Sequence, residues 1–170
     1  MKMKKWILLI LPLLILILLV AGAVYKCPLT LTQLYPEVGL DLCKNITAYY
    51  SVDKAGEDKR VVFPSESEEF DFLMEKLKHQ QFRKSFQNFL PSGTKAHRWT
   101  EGDFRWEITL EFEGPILMKD ESIASGSLIR LTNFFGNLTI YNIASEQSIQ
   151  CHTSNQQQWA EEILHILSGE

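Results

Sequence analysis

Arg105-Trp106-Glu107-Ile108-Thr109-Leu110-Glu111-Phe112-Glu113 is the stretch that decides the fold. Trp106, Ile108, Leu110 and Phe112 fall on one side of an extended chain; Arg105, Glu107, Thr109, Glu111 and Glu113 fall on the other. Such alternation means one packed face and one wet face, the signature of an antiparallel sheet covered on one side. Downstream, residues 127–132, 138–143 and 148–153 read as shorter strands, with turns at 133–137 and 144–147. Upstream, residues 44–52 alternate too, placing Ile46, Ala48, Tyr50 and Val52 on one face. A polar turn at 53–58 then leads back into Arg60-Val61-Val62-Phe63, which Pro64 ends.

Two amphipathic helices supply the cover. Ser65 and Glu68 have capping-box spacing, and Glu66, Glu68, Glu69 and Asp71 crowd a first turn whose dipole favours acids. Phe70, Leu73, Met74 and Leu77 then recur at helical spacing. Ser154 and Gln157 repeat the box before Trp159, Ala160, Ile163, Leu164, Ile166 and Leu167, and Gly169 stands past the end. Between these elements Phe82, Phe86 and Leu90 keep a four-residue spacing that fits either a short helix or an extended edge segment. The expected fold is α+β: a hairpin and then a meander of antiparallel strands, packed in two layers by two amphipathic helices. The lack of alternating βα units excludes a doubly wound parallel sheet.

Residues 1–25 stand apart. Residues 7–24 hold no charge, and only Pro12 and Gly22 interrupt the apolar run. Lys2, Lys4 and Lys5 precede it, and Trp6 and Tyr25 bracket it as interfacial aromatics do. At 1.5 Å per residue this bracketed span is roughly 30 Å, one hydrocarbon core. The reading is a transmembrane signal anchor over 1–25, in the bilayer through residues 6–25, followed by a juxtamembrane connector at 26–43 and an exported domain at 44–170. Lysines on the N-terminal flank keep that end cytoplasmic and turn the domain outward. Ala21-Gly22-Ala23 also has the small-x-small form of a signal peptidase site, so cleavage ahead of Val24 is the rival outcome. A lipoprotein is a poor third reading, because Tyr25 and Lys26 stand before Cys27 where small residues are needed.

Without those 25 residues the 17 basic residues fall by three lysines to 14, against 21 acidic ones. An acidic domain of this kind has no general affinity for nucleic acid. Cys27, Cys43 and Cys151 make an odd count for an exported chain. A disulfide between Cys27 and Cys43 would close a 17-residue loop, worth roughly 3 kcal/mol. Cys151 reads as a buried thiol. Asn45-Ile46-Thr47 and Asn137-Leu138-Thr139 have the form of glycosylation sequons, meaningful only in a eukaryotic secretory pathway.

In its lysine-rich start, apolar anchor, short connector and hairpin–helix–meander–helix order over 44–168, the chain resembles small bacterial signal-anchored exported proteins of unknown function. That resemblance implies an envelope location and assigns no catalytic residue.

The search for chemistry returns little. Glycine-rich phosphate loops and a G-x-S-x-G elbow are missing, and His79, His97, His152 and His165 lack zinc-ligand spacing, so no cofactor or metal is expected. Glu107, Glu111 and Glu113 share a strand face at intervals near those of glycosidase carboxylates. A solvated face is the wrong place to raise a carboxyl pKa, so solubilising charge is the better reading. Trp99 and Phe104 flank a turn and offer an aromatic ligand platform. Lys76, Lys78, Arg83 and Lys84 form the one basic cluster, a surface for anionic headgroups or simply the cationic end of a helix. The expectation is a membrane-anchored, non-catalytic module that binds or assembles with an envelope protein. An exported hydrolase using the glutamates and a secreted small-ligand binder are the alternatives.

Overall fold

The computed structural model describes residues 3–36, 38–52, 58–89, 103–117 and 123–169. Seven strands form one antiparallel sheet: β1 Cys43–Ser51, β2 Lys59–Pro64, β3 Arg83–Lys84, β4 Arg105–Leu117, β5 Ile123–Phe134, β6 Asn137–Asn142 and β7 Gln147–His152. Their order across the sheet is β2-β1-β4-β5-β6-β7-β3. Helices α1 Met3–Tyr25, α2 Leu31–Leu34, α3 Glu68–His79 and α4 Gln156–Ser168 complete the fold. The expected α+β class and antiparallel sheet are therefore present. Helix α3 carries the chain from the β2 edge to the opposite edge, where β3 pairs with β7. The long strand β4 then returns to the middle, beside β1.

Register follows the alternation. Ile46, Leu110 and Ile129 stand opposite one another across three strands, as do Ala48, Ile108, Leu131 and Ile140 across four. All are buried, and α3 and α4 cover them with Phe70, Leu73, Met74, Leu77, Trp159, Ala160, Ile163 and Leu167. Three irregularities depart from strict register, one of them in β4 between Phe112 and Ile116. In β5 the register shifts so that Glu111 faces Ser127 while Leu110 faces Ile129. The skipped residue, Leu128, is thereby buried beside its neighbour Ile129. In β1 a similar shift leaves Lys44 unmatched between Cys43 and Asn45. Hairpin β5–β6 is tighter than the sequence suggests: only Phe135 and Gly136 turn, with φ of 51° and 77°. Positive φ at both positions is the primed turn that matches strand twist.

Both expected capping boxes move or fail. The α3 cap is Ser67, whose Oγ accepts from the Phe70 amide at 3.2 Å. Ser65 is still tied to the sheet, its amide donating to the Lys44 carbonyl at 2.8 Å, so the helix starts two residues later. Before α4, Asn155 occupies the cap without a side-chain bond, and Gln157 reaches forward to Glu161 at 2.7 Å instead of back. Gly169 closes α4 in the left-handed region, as its position implied. Val52, expected inward, is half-exposed because β1 ends at Ser51.

The segment expected as a connector is built into the domain. Thr30 caps α2 with a complete capping box, and Leu31, Tyr35, Val38 and Leu40 are all buried in the core. Leu29 and Phe82 exchange backbone hydrogen bonds of 2.9 and 2.8 Å. Past Phe82 the ambiguous spacing resolves into both readings in turn. Edge strand β3 comes first, then a 3-10 turn at Phe86–Phe89; Leu90 lies outside the described residues.

Helix α1 is continuous over 23 residues with Pro12 inside it. Its described side chains, from Ile10 on, are apolar on every side, and Ile10, Leu11 and Leu13 to Val20 are each about half exposed or more. Among the described residues no helix is long and apolar enough to cross a membrane. The 23-residue backbone of α1 is about 35 Å long at 1.5 Å per residue.

Candidate functional site

The most specific polar and aromatic arrangement lies where α1 meets the sheet edge. Tyr25, the last residue of α1, stacks on Phe86 with ring centres 5.7 Å apart and tilts against Phe89 at 4.8 Å. Its hydroxyl donates to the Ser85 carbonyl at 3.1 Å and accepts from Asn88 Nδ2 at 3.0 Å. Asn88 is itself fixed: its Nδ2 reaches the Ser85 and Gln150 carbonyls, and its Oδ1 accepts from the Gln150 amide at 2.8 Å. One asparagine thus joins the helix end, the 3-10 turn and strand β7. Lys26 holds its ammonium 4.5 Å from the centre of Phe86, and Lys84 lies 5.9 Å from the centre of Tyr25, both within cation–π reach. The sequence marked Tyr25 as an interfacial residue and Phe86 as one of a spaced series. Their meeting depends on β3 crossing to the far edge, which no local pattern states.

The basic cluster divides. Lys76 pairs with Glu162 at 2.6 Å and Lys78 with Asp41 at 2.5 Å, so both of these α3 lysines serve packing within the domain. Hydrogen bonds from Lys76 and then Gln158 hold the Glu162 carboxyl below its usual range. Arg83 and Lys84 lie apart from them on β3, Lys84 at the joint. Of the two aromatics expected to form a platform, only Phe104 is described. Phe104 is 8% exposed, taken into the core beside the start of β4, and Trp99 lies outside the described residues.

Cys27 is exposed; Cys43 and Cys151 are buried, and all three are free thiols. Burial pushes the Cys43 thiol up to about 11 and the Cys151 thiol up to about 12. Thiolate is the reactive form. Iodoacetamide at pH 8 is therefore expected to modify Cys27 alone in the folded chain, and all three after denaturation. Mass spectrometry of the two samples checks this; a native Cys27 that resists labelling would put it in a bridge instead.

The glutamates of β4 divide between two cavities. Glu107 faces Arg130, with 3.3 Å between Oε1 and Nε, and borders an open cavity of about 300 Å³ with Tyr49, Asp58, Arg105 and Phe134. Within it Arg105 grips both carboxylate oxygens of Asp58 at 2.9 and 3.0 Å. Glu111 and Glu113 border a different cavity of about 290 Å³ beside Lys44. Both cavities are open to water; Tyr49, Trp106 and Phe134 give the first an aromatic wall, and its two acids, Asp58 and Glu107, face Arg105 and Arg130. The sheet face opposite α3 and α4 is polar around them: Thr47, Thr109, Arg130, Tyr141 and Ser148 stand in one row across it, Thr47 and Thr109 buried. Among the described residues no three His, Cys, Asp or Glu side chains are placed to hold a metal ion.

No protein-family model, curated protein or solved structure matches the chain.

Proposed function

We propose that this protein is a single-pass membrane-anchored domain, facing outward, that works by binding or assembly and not by catalysis. The observation that carries the reading is α1: a helix whose described side chains, from Ile10 to Val20, are apolar and exposed, and whose last residue is clamped to the domain. A helix that is hydrophobic all round needs either a protein core or lipid around it. The domain covers only the C-terminal end, and a backbone of about 35 Å exceeds the roughly 30 Å of a hydrocarbon core. Lysines before the span and their scarcity after it support a cytoplasmic N-terminus. The helical path of Ala21-Gly22-Ala23 into Tyr25 supports retention over cleavage. For a non-catalytic role, the support is that the carboxylates of β4 are spread over two open cavities and one is tied to Arg130.

Alkaline carbonate extraction, with intact mass taken from the membrane and soluble fractions, tests this. The expected result is a carbonate-resistant chain that retains the residues before Val24. A soluble chain beginning at Val24 overturns the anchor and leaves a diffusible binding domain.

A further inference from the structure

The joint between α1 and the sheet edge keeps two large apolar side chains in water. Phe86 and Phe89 are 48% and 69% exposed, although burial of so large an apolar ring is favourable. They are not loose: both rings pack on Tyr25, and Asn88 between them is bonded to β7. Their depth relative to any membrane is therefore that of Tyr25. The charges around them have one sign. From Lys76 to Thr100 the sequence has no acidic residue and six basic ones, within a chain that carries 21 acids in all. Two of the six, Lys76 and Lys78, are neutralised by Glu162 and Asp41. Lys84 is instead turned to the joint, where Lys26 also lies.

We propose that Tyr25, Lys26, Lys84, Phe86 and Phe89 form a seat in the headgroup layer of the bilayer that α1 crosses. This rests on the anchored reading above. The rings occupy the boundary between headgroups and acyl chains, where amphipathic aromatic clusters are favourable. The two ammonium groups meet anionic phosphates, an attraction that acts close to the surface. The seat fixes the tilt of the whole domain, because no flexible linker separates Tyr25 from the sheet. Anionic lipid is the committed partner; a protein or a second copy of this chain on the same rings is the competing occupant.

The test uses the full-length chain in phosphatidylcholine vesicles with and without phosphatidylglycerol. Cys27→Ser removes the exposed thiol, and Phe89→Cys or, on the far edge strand, Val62→Cys accepts a nitrobenzoxadiazole label while Cys43 and Cys151 stay buried. Six strand spacings, roughly 29 Å, separate the two edges. The expected result is a blue-shifted label at position 89, quenched severalfold more by shallow spin-labelled lipid than the label at position 62. Phosphatidylglycerol should strengthen the difference, and Lys84→Gln should weaken that gain. A water-like label at position 89 in a carbonate-resistant chain overturns the seat and leaves the anchor standing. A label shielded from iodide but untouched by spin-labelled lipid overturns it in favour of a protein occupant. A chain extracted by carbonate overturns both readings.

Discussion

A fragment beginning at Lys44 will not fold, whereas one beginning at Lys26 will. The difference between them is residues 26–43, which look like a linker and behave as core. Leu31, Tyr35, Val38 and Leu40 are all 5% exposed or less. Four such side chains are worth about 6–12 kcal/mol at roughly 1.5–3 each, against a net stability of about 5–15 kcal/mol for a whole domain. Losing them uncovers α3, against which α2 packs, and removes the backbone exchange between Leu29 and Phe82. It also leaves Lys78 without Asp41, a loss of little weight because Asp41 is largely exposed. The check is urea unfolding followed by far- and near-ultraviolet circular dichroism. A cooperative transition and native near-ultraviolet signal from the Lys44 fragment would remove 26–43 from the core.

Why the sequence misleads at 26–43 is instructive. The segment is short, broken by Pro28, Pro36 and Gly39, and holds no run of either period. Its apolar residues are buried by position alone, through contacts with elements far along the chain, such as α3 and β6. Where a local period exists, the reading does better: the alternation of 105–113 and 46–50 names the buried apolar side of β4 and β1, although Thr47 and Thr109 on the opposite side are buried too, and the spacing from Phe70 to Leu77 names the face of α3. Caps fail for a related reason. Ser65 has the right neighbours for a box, but its amide is already committed to Lys44 across the sheet. The candidate sites follow the same division. Tyr25 is legible as the end of an apolar run, and the basic cluster as a composition. That Lys76 and Lys78 are spent on Glu162 and Asp41 while Lys84 reaches Tyr25 is tertiary information. Phe104 illustrates it once more, an aromatic beside a turn that the core takes in.

Trp106→Ala is expected to be the most damaging single substitution in the domain, costing about 3–5 kcal/mol. Trp106 is 1% exposed at the centre of the sheet, and its indole N–H donates to the Ala160 carbonyl of α4 at 3.0 Å. Its ring meets Trp159 edge-on, with centres 5.6 Å apart, and Trp159 meets Phe82 in the same way at 5.9 Å. These three rings tie the middle strand, the last helix and the edge held by Leu29. Size alone does not explain the effect, and a pair of phenylalanine variants separates the contributions. Trp106→Phe keeps a ring but gives up the bond to α4, worth about 1 kcal/mol, and opens a small void. Trp159→Phe also shrinks a ring, yet the buried Trp159 indole N–H has no acceptor among the described residues. Removing that donor relieves a desolvation penalty of about 1–3 kcal/mol, which offsets most of the lost packing. The expected order of urea midpoints is therefore Trp159→Phe above Trp106→Phe above Trp106→Ala. If Trp159→Phe proves the worse of the two ring-keeping variants, its N–H has an acceptor outside the described residues, and the weight placed on Trp106 as the tie between sheet and helix is misplaced.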